Sequence, residues 1–175
     1  MFLRPVAEKD LPLLYQLTSD PAATGEHEWF GWQDPGQFRR RWADNGLLGE
    51  DGGLLIVAIG NEPVGFVSWR KHQTARTSHC WTIGAAIAPE ARGQGAGTRA
   101  QRQLVLYLFA HTQVNRIEAV TEITNVAEQR ALKRAGFTRE GVLRGFGFQG
   151  GRWHDGVLYS LLRHEVNLDE PRRSA

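Results

Sequence analysis

Three glycines at alternate positions, Arg92-Gly93-Gln94-Gly95-Ala96-Gly97, stand between two apolar stretches of different period. The stretch before them, Cys80 to Ala88, reads as a strand closed by Pro89, apolar on both faces and therefore central in a sheet. The stretch after them, Thr98 to His111, reads as a helix with Leu104, Val105, Leu108 and Phe109 on one face. A glycine-rich turn from strand into helix aims several backbone N–H groups at one point, at the positive end of the helix dipole. That point suits a phosphate or pyrophosphate. Two common phosphate loops are excluded: the third glycine of a dinucleotide fingerprint would fall on Thr98, and no Gly-Lys-Ser/Thr ending follows.

The pattern around this junction predicts alternating elements. Phe2 to Val6 reads as a strand, and Asp10 as the N-cap of a helix running to Thr18 with Pro12 in its first turn. Asp20 to Gly36 is aromatic, acidic and turn-rich, and Gln37 to Asn45 reads as a helix whose Arg39-Arg40-Arg41 run is a solvated face. After a loop at Gly49 to Gly53, Leu54 to Ile59 and Val64 to Arg70 form a hairpin turned by Asn61-Glu62-Pro63, followed by polar Lys71 to Ser78. Arg116 to Thr121 is a strand, and Asn125 to Ala135 a helix stopped by Gly136. Phe137 to Phe148 and Trp153 to Leu162 are closing strands joined at Gln149-Gly150-Gly151-Arg152. The order fits an α/β (α+β) layered domain with a mostly antiparallel N-terminal half.

Composition narrows the function. The 175 residues suffice for one domain with a sizeable core, and 21 basic against 19 acidic residues leave a net charge of +2, too balanced for a nucleic-acid partner. No apolar run approaches the length of a membrane span, and the charged N-terminus lacks a signal-peptide core, so neither membrane nor export is expected. The lone Cys80 excludes an internal disulfide and fits a reducing, cytoplasmic setting; no activating partner marks it as a nucleophile. No metal-ligand spacing stands out.

A series of motifs spread over nearly the whole chain resembles the GCN5-related N-acetyltransferase superfamily, and within it the RimJ/RimL-like branch. It begins at Leu3-Arg4-Pro5 and Asp10, and continues through Glu62-Pro63-Val64-Gly65-Phe66-Val67 and Ile83-Gly84. The glycine loop matches the superfamily's acyl-CoA pyrophosphate loop, R/Q-x-x-G-x-G. Asn125, Ala135-Gly136-Phe137, Glu140-Gly141, Trp153-His154-Asp155 and Tyr159-Ser160-Leu161-Leu162 complete it. The resemblance implies one domain over residues 1–165, with a polar tail at 166–175. It implies a mixed, mostly antiparallel sheet flanked by helices, in which a splayed strand pair holds the acyl-CoA. It further implies direct acetyl transfer from acetyl-CoA to a primary amine, either a protein or peptide N-terminus or a small cationic amine, and is compatible with a homodimer. A non-catalytic acyl-CoA-binding module is the alternative.

By the same resemblance, Ile83, Ala85 and Ile87 would run along pantetheine. Arg92, Gly93, Gln94, Gly95, Ala96, Gly97 and Thr98 would cradle the pyrophosphate, and Asn125 would contact the cofactor arm. Two departures from the family pattern matter. Thr82 stands where many members carry a basic glutamate, and Glu128 replaces the serine that assists the leaving thiol, a role it could fill only if protonated. His79, Glu122 and the early-loop Glu26, His27 or Glu28 are candidate bases, as is an ordered water. Glu26, His27, Glu28, Trp29 and Trp32 lie in the variable acceptor region, where carboxylates attract an ammonium group and tryptophan faces add cation–π attraction.

Overall fold

A computed structural model describes residues 1–168. In chain order the elements are β1 (Phe2–Arg4), α1 (Leu11–Ser19), α2 (Pro21–Thr24), α3 (Gln37–Asn45), β2 (Leu48–Gly49), β3 (Gly52–Ile59), β4 (Glu62–Ala75), β5 (Ser78–Ile87), α4 (Ala96–His111), β6 (Arg116–Glu122), α5 (Val126–Ala135), β7 (Thr138–Gln149) and β8 (Arg152–Leu162). They build a sheet of order β1-β3-β4-β5-β6-β8-β7, with β2 on the edge of β3. Every pairing is antiparallel except β5 with β6, which α4 joins by the crossover that parallel neighbours require.

The central strand β3 is buried on both sides. Alternate residues of β3 face opposite layers: Leu55 and Val57 pack with α4 and α5 through Leu104, Leu108, Phe109 and Leu132. Leu54, Ile56 and Ala58 pack with α1 and α3 through Leu11, Leu14, Leu17 and Phe38. A strand covered on both faces has no polar alternation, which is why Leu54 to Ile59 reads as a continuous apolar run. Among the described residues no helix is long and apolar enough to cross a membrane.

The decisive irregularity lies between β5 and β6. Their ladder holds only the pairs Trp81↔Ile117 and Thr82↔Glu118. On its other edge β5 stays paired with β4 as far as Gly65↔Ile87. From Ile83 onward β5 therefore has a neighbour on one side only, and the strands diverge into an open V.

Four sequence expectations shift. The turn of the β3–β4 hairpin falls on Gly60-Asn61, and Pro63 lies inside β4 beside a register shift at Val57/Ala58, where its missing N–H is tolerated. Lys71 to Ala75 extend β4 because β5 pairs with them, although both faces there are solvated. The expected polar tail lies outside the described residues from 169 onward, while Val166 packs against the core. Asp10 does not cap α1 with its side chain. Its carboxylate turns back to accept from Arg4 Nη1 at 2.6 Å, Arg4 Nη2 at 2.8 Å and the Ala7 N–H at 2.8 Å.

Asp10 is the buried clasp between β1 and α1: its side chain is fully excluded from solvent, and Arg4 holds its carboxyl below the usual carboxylate range. Asp10→Ala leaves a partly buried guanidinium unpaired and should cost about 3 kcal/mol. Because the folded-state value is lowered, this contribution is present above the ordinary value of 3.8 and fades as the pH falls through the lowered one. Urea denaturation of parent and variant at neutral and acidic pH checks both points; an equal gap at both would refute the assignment.

Candidate active site

The open V and the loop that follows it bound one continuous groove of about 800 Å³. Its floor is the one-sided stretch Ile83, Gly84, Ala85, Ala86 and Ile87, and its far wall is Ala119 and Val120 of β6. At one end lie Gly93, Gly95, Ala96, Gly97 and Thr98. Gly93 and Gly95 both have φ of +75°, the left-handed region where a side chain is strained. Gly95 is the N-cap of α4, offers no capping side chain, and is followed by no acidic residue in the first turn. The leading N–H groups of α4 are thus left for a ligand.

Two side chains of the loop are engaged within the protein. Arg92 borders the groove, but its Nε donates to Ile87 O at 2.8 Å and its Nη2 to Ala23 O, which ties the loop to β5 and α2. Gln94 does not line the groove; its amide reaches back to Glu90 O. Two further cations, Arg130 and Arg134, four residues apart on α5, also line the groove. The packing of α5 beside α4 brings them to the loop.

At the other end the groove meets a second cavity of about 120 Å³, lined among others by Phe30, Thr121, Glu122, Phe146, His154 and Asp155. His27, Glu28 and Val120 line both. A register shift in β7 between Leu143 and Gly147 sets the half-exposed Phe146 at the cavity wall, with the Gly145 N–H held by Asp155 Oδ1 at 2.8 Å. Gly156 is required here: a Cβ would lie 2.9 Å from Val120 and 3.1 Å from the Phe146 ring. Gln149 donates to the carbonyls of Glu26 and Trp29 at 2.6 and 2.9 Å and so fixes the early loop over the cavity. The Thr121 hydroxyl is buried with no hydrogen-bond partner.

The early loop's acidic and basic residues converge on the junction, its tryptophans do not. Trp29 and Trp32 pack edge to face, with centroids 5.1 Å apart, and line neither cavity; Phe30 and Phe146 supply the aromatic walls instead. Glu26 borders the groove with its side chain in solvent. His79 lies outside both cavities, edge-on to Trp81 at 5.6 Å, because it sits on the paired end of β5. Asn125 lines the groove and caps α5, its Oδ1 accepting from the Glu128 N–H at 3.1 Å.

Three carboxylates at the junction occupy different electrostatic settings. Glu122 is held below the usual range, first by the Thr124 hydroxyl at 2.6 Å and then by His27 at 3.3 Å and His154 at 3.0 Å. Glu28 is pushed up to about 7, by the surrounding protein and then by the Glu128 carboxylate, with His27 opposing. Glu28 is exposed to the cleft's solvent as a whole residue, and its carboxyl is desolvated by its place between the two cavities. Burial also raises Glu128, against the pull of the Gln101 amide at 2.7 Å. The carboxyls of Glu28 and Glu128 are thus both raised above the usual range, and the charge of Glu128 adds to the rise at Glu28.

Residues 1–138 match the family described as the Acetyltransferase (GNAT) domain. The chain belongs to that family. It is 34% identical over 128 residues to a putative ribosomal N-acetyltransferase of Bacillus subtilis, a match covering 73% of this chain and 66% of the relative. The chain thus spans just under two thirds of that relative's length. A ribosomal-protein-alanine N-acetyltransferase from Brucella melitensis superposes with a TM-score of 0.79 at 23% identity, covering 93% of this chain and 99% of the other. A spermidine N-acetyltransferase from Vibrio cholerae, solved with CoA and spermine, gives a TM-score of 0.77 at 17% identity over 94% and 96% of the two chains. At these identities both likenesses establish the fold alone.

The Glu28 setting makes stability pH-dependent. Its folded-state value lies above the ordinary 4.5, so its contribution to the fold is complete below that pH and is lost as the pH rises through about 7. Glu28→Gln should match the parent's melting temperature near pH 4.5 and exceed it at pH 8. A difference that does not change with pH would show that Glu28 is not held in this setting.

Proposed function

We propose that this chain is a RimJ/RimL-like N-acetyltransferase that moves an acetyl group from acetyl-CoA directly to a primary amine. The observation that carries this reading is the continuity of the groove: it runs from the bare N-terminus of α4, along the one-sided edge of β5, to a carboxylate-lined cavity at Glu28. Each section fits one part of the two substrates. The N–H groups at Gly95 to Thr98 suit the pyrophosphate, and Arg130 and Arg134 add charge for the phosphates. The edge of β5 suits the pantetheine amides, which would bond it as a short added strand. Glu28, Glu122 and Asp155 beside Phe30 and Phe146 suit an ammonium group on a short apolar arm.

Acetyl-CoA supplies the activated thioester. The protein's part is to position and to move protons. Glu28, at the meeting point of the two cavities, takes the proton of the incoming ammonium group. Backbone N–H groups on the unpaired edge near Ile83 to Ala85 donate to the carbonyl oxygen as negative charge gathers on it. Glu128 lies along the donor groove and, when protonated, gives its proton to the departing sulfur. Glu122 stays ionised, anchoring His27 and His154 at the acceptor wall. Acceptors of this chemistry are peptide N-termini and small cationic amines.

Free-thiol release from acetyl-CoA across peptides, amino acids, polyamines and amino sugars, with mass spectrometry of each product, tests the reading. An acetylated product in one class is expected. In that class Glu28→Gln should lower kcat about 100-fold and abolish the ascending limb of its pH profile near 7. Gly95→Val, strained at φ +75°, should weaken acetyl-CoA binding at least tenfold by calorimetry. Acetyl-CoA binding with no product in any class would instead establish a binding protein.

A further inference from the structure

A second cluster of reactive side chains lies on the closed side of the V and borders neither cavity. His72 of β4 and Cys80 of β5 are register partners, and the Thr82↔Glu118 pair places Glu118 of β6 one pleat further along. Trp81, Ile83 and Ile117 pack toward α4, so strict alternation turns His72, Cys80 and Glu118 to the opposite face. Their Nδ1, Sγ and carboxylate oxygen all lie within 4.8 Å of one another. His72 Nδ1 and Glu118 Oε2 are 3.2 Å apart, the separation of two ligands on one tetrahedral ion.

We propose that His72, Cys80 and Glu118 form a binding site for a zinc-class divalent metal ion at the apex of the strand splay. The donor set of one imidazole, one thiolate and one carboxylate is that of a borderline-soft ion with a fourth position for water. The surroundings supply the charge. Arg116 Nε takes Glu118 Oε1 at 2.5 Å, while its two terminal nitrogens take Glu140 at 2.7 and 2.6 Å. Two carboxylates face one guanidinium, which leaves Glu118 Oε2 for His72 and Cys80. With the thiolate the group carries two negative charges in excess, matching one divalent cation.

The chemistry of binding is simple to balance. Cys80 is fully buried, and both burial and Glu118 push its thiol up to about 12, so it carries its proton when metal-free. Metal binding expels that proton to solvent, as His72 binds through Nδ1 with its proton on Nε2. The His72 side chain is 57% exposed, which opens the path for the ion and its water. The bound ion would span β4, β5 and β6 where β5 and β6 share only two register pairs, and so would pin the point from which the groove opens.

Cobalt(II) is the probe, titrated into tag-free, full-length protein. The wild type should take up a single equivalent, with a thiolate-to-cobalt charge-transfer band and tetrahedral visible bands that zinc(II) abolishes. Cys80→Ser should remove the charge-transfer band, and His72→Ala should weaken cobalt binding at least tenfold. His72 is exposed and outside the groove, so this variant should keep the wild-type acetyl-CoA affinity, which serves as its folding control. Zinc(II) should raise the melting temperature of the wild type and not of His72→Ala. Absence of the charge-transfer band in the wild type, or an unchanged band and affinity in a folded His72→Ala, would overturn the proposal.

Discussion

The candidate site depends on one unfinished ladder. β5 keeps its full antiparallel pairing with β4 but gives up β6 after Thr82↔Glu118. A backbone edge left unpaired inside a sheet is costly unless something else bonds it. Here that edge becomes the floor of a groove, and the same divergence separates β6 far enough for Val120 to face both cavities. The glycine loop and the start of α4 follow directly from the end of β5, so one divergence positions the phosphate-suited end and the carboxylate-lined cavity together.

Electrostatics then divides the labour among similar side chains. Glu122 and Glu28 lie at the same cavity, yet one is stabilised as an anion by a hydroxyl and two histidines and the other is pushed up by enclosure and by Glu128. The residue types alone do not distinguish them; hydrogen-bond supply does. The same rule operates on the closed side of the V, where Arg116 holds both Glu118 and Glu140 below the usual range and the neighbouring thiol is pushed the other way.

Much of the fold was legible because local chemistry agreed with it. The α3 boundaries, Gly136 as the stop of α5 and the Gly150-Gly151 turn all follow from capping and turn rules that act within a few residues. The errors have equally local causes. Polar Lys71 to Ala75 read as a loop because a solvated strand loses its apolar alternation. Asp10 read as a cap because its competing partner, Arg4, is a neighbour only after β1 and α1 pack. The tie of Arg92 to the Ile87 and Ala23 carbonyls is likewise invisible along the chain, because those partners approach only after folding.

By itself the sequence determined the order of the longer elements, though not the short α2 and β2, and the glycine turn at the head of α4, because periodicity, capping and backbone freedom are short-range effects. Only the tertiary structure decided which of those groups meet. It brought Glu28 to Glu128 across the groove, Arg130 and Arg134 to its mouth and Phe146 to the wall of the smaller cavity, and it left His79, Trp29 and Trp32 outside. It also gathered His72, Cys80 and Glu118 from three strands. Pairwise distance across a twisted, splayed sheet is set by register and packing, and neither is written in the spacing of residues along the chain.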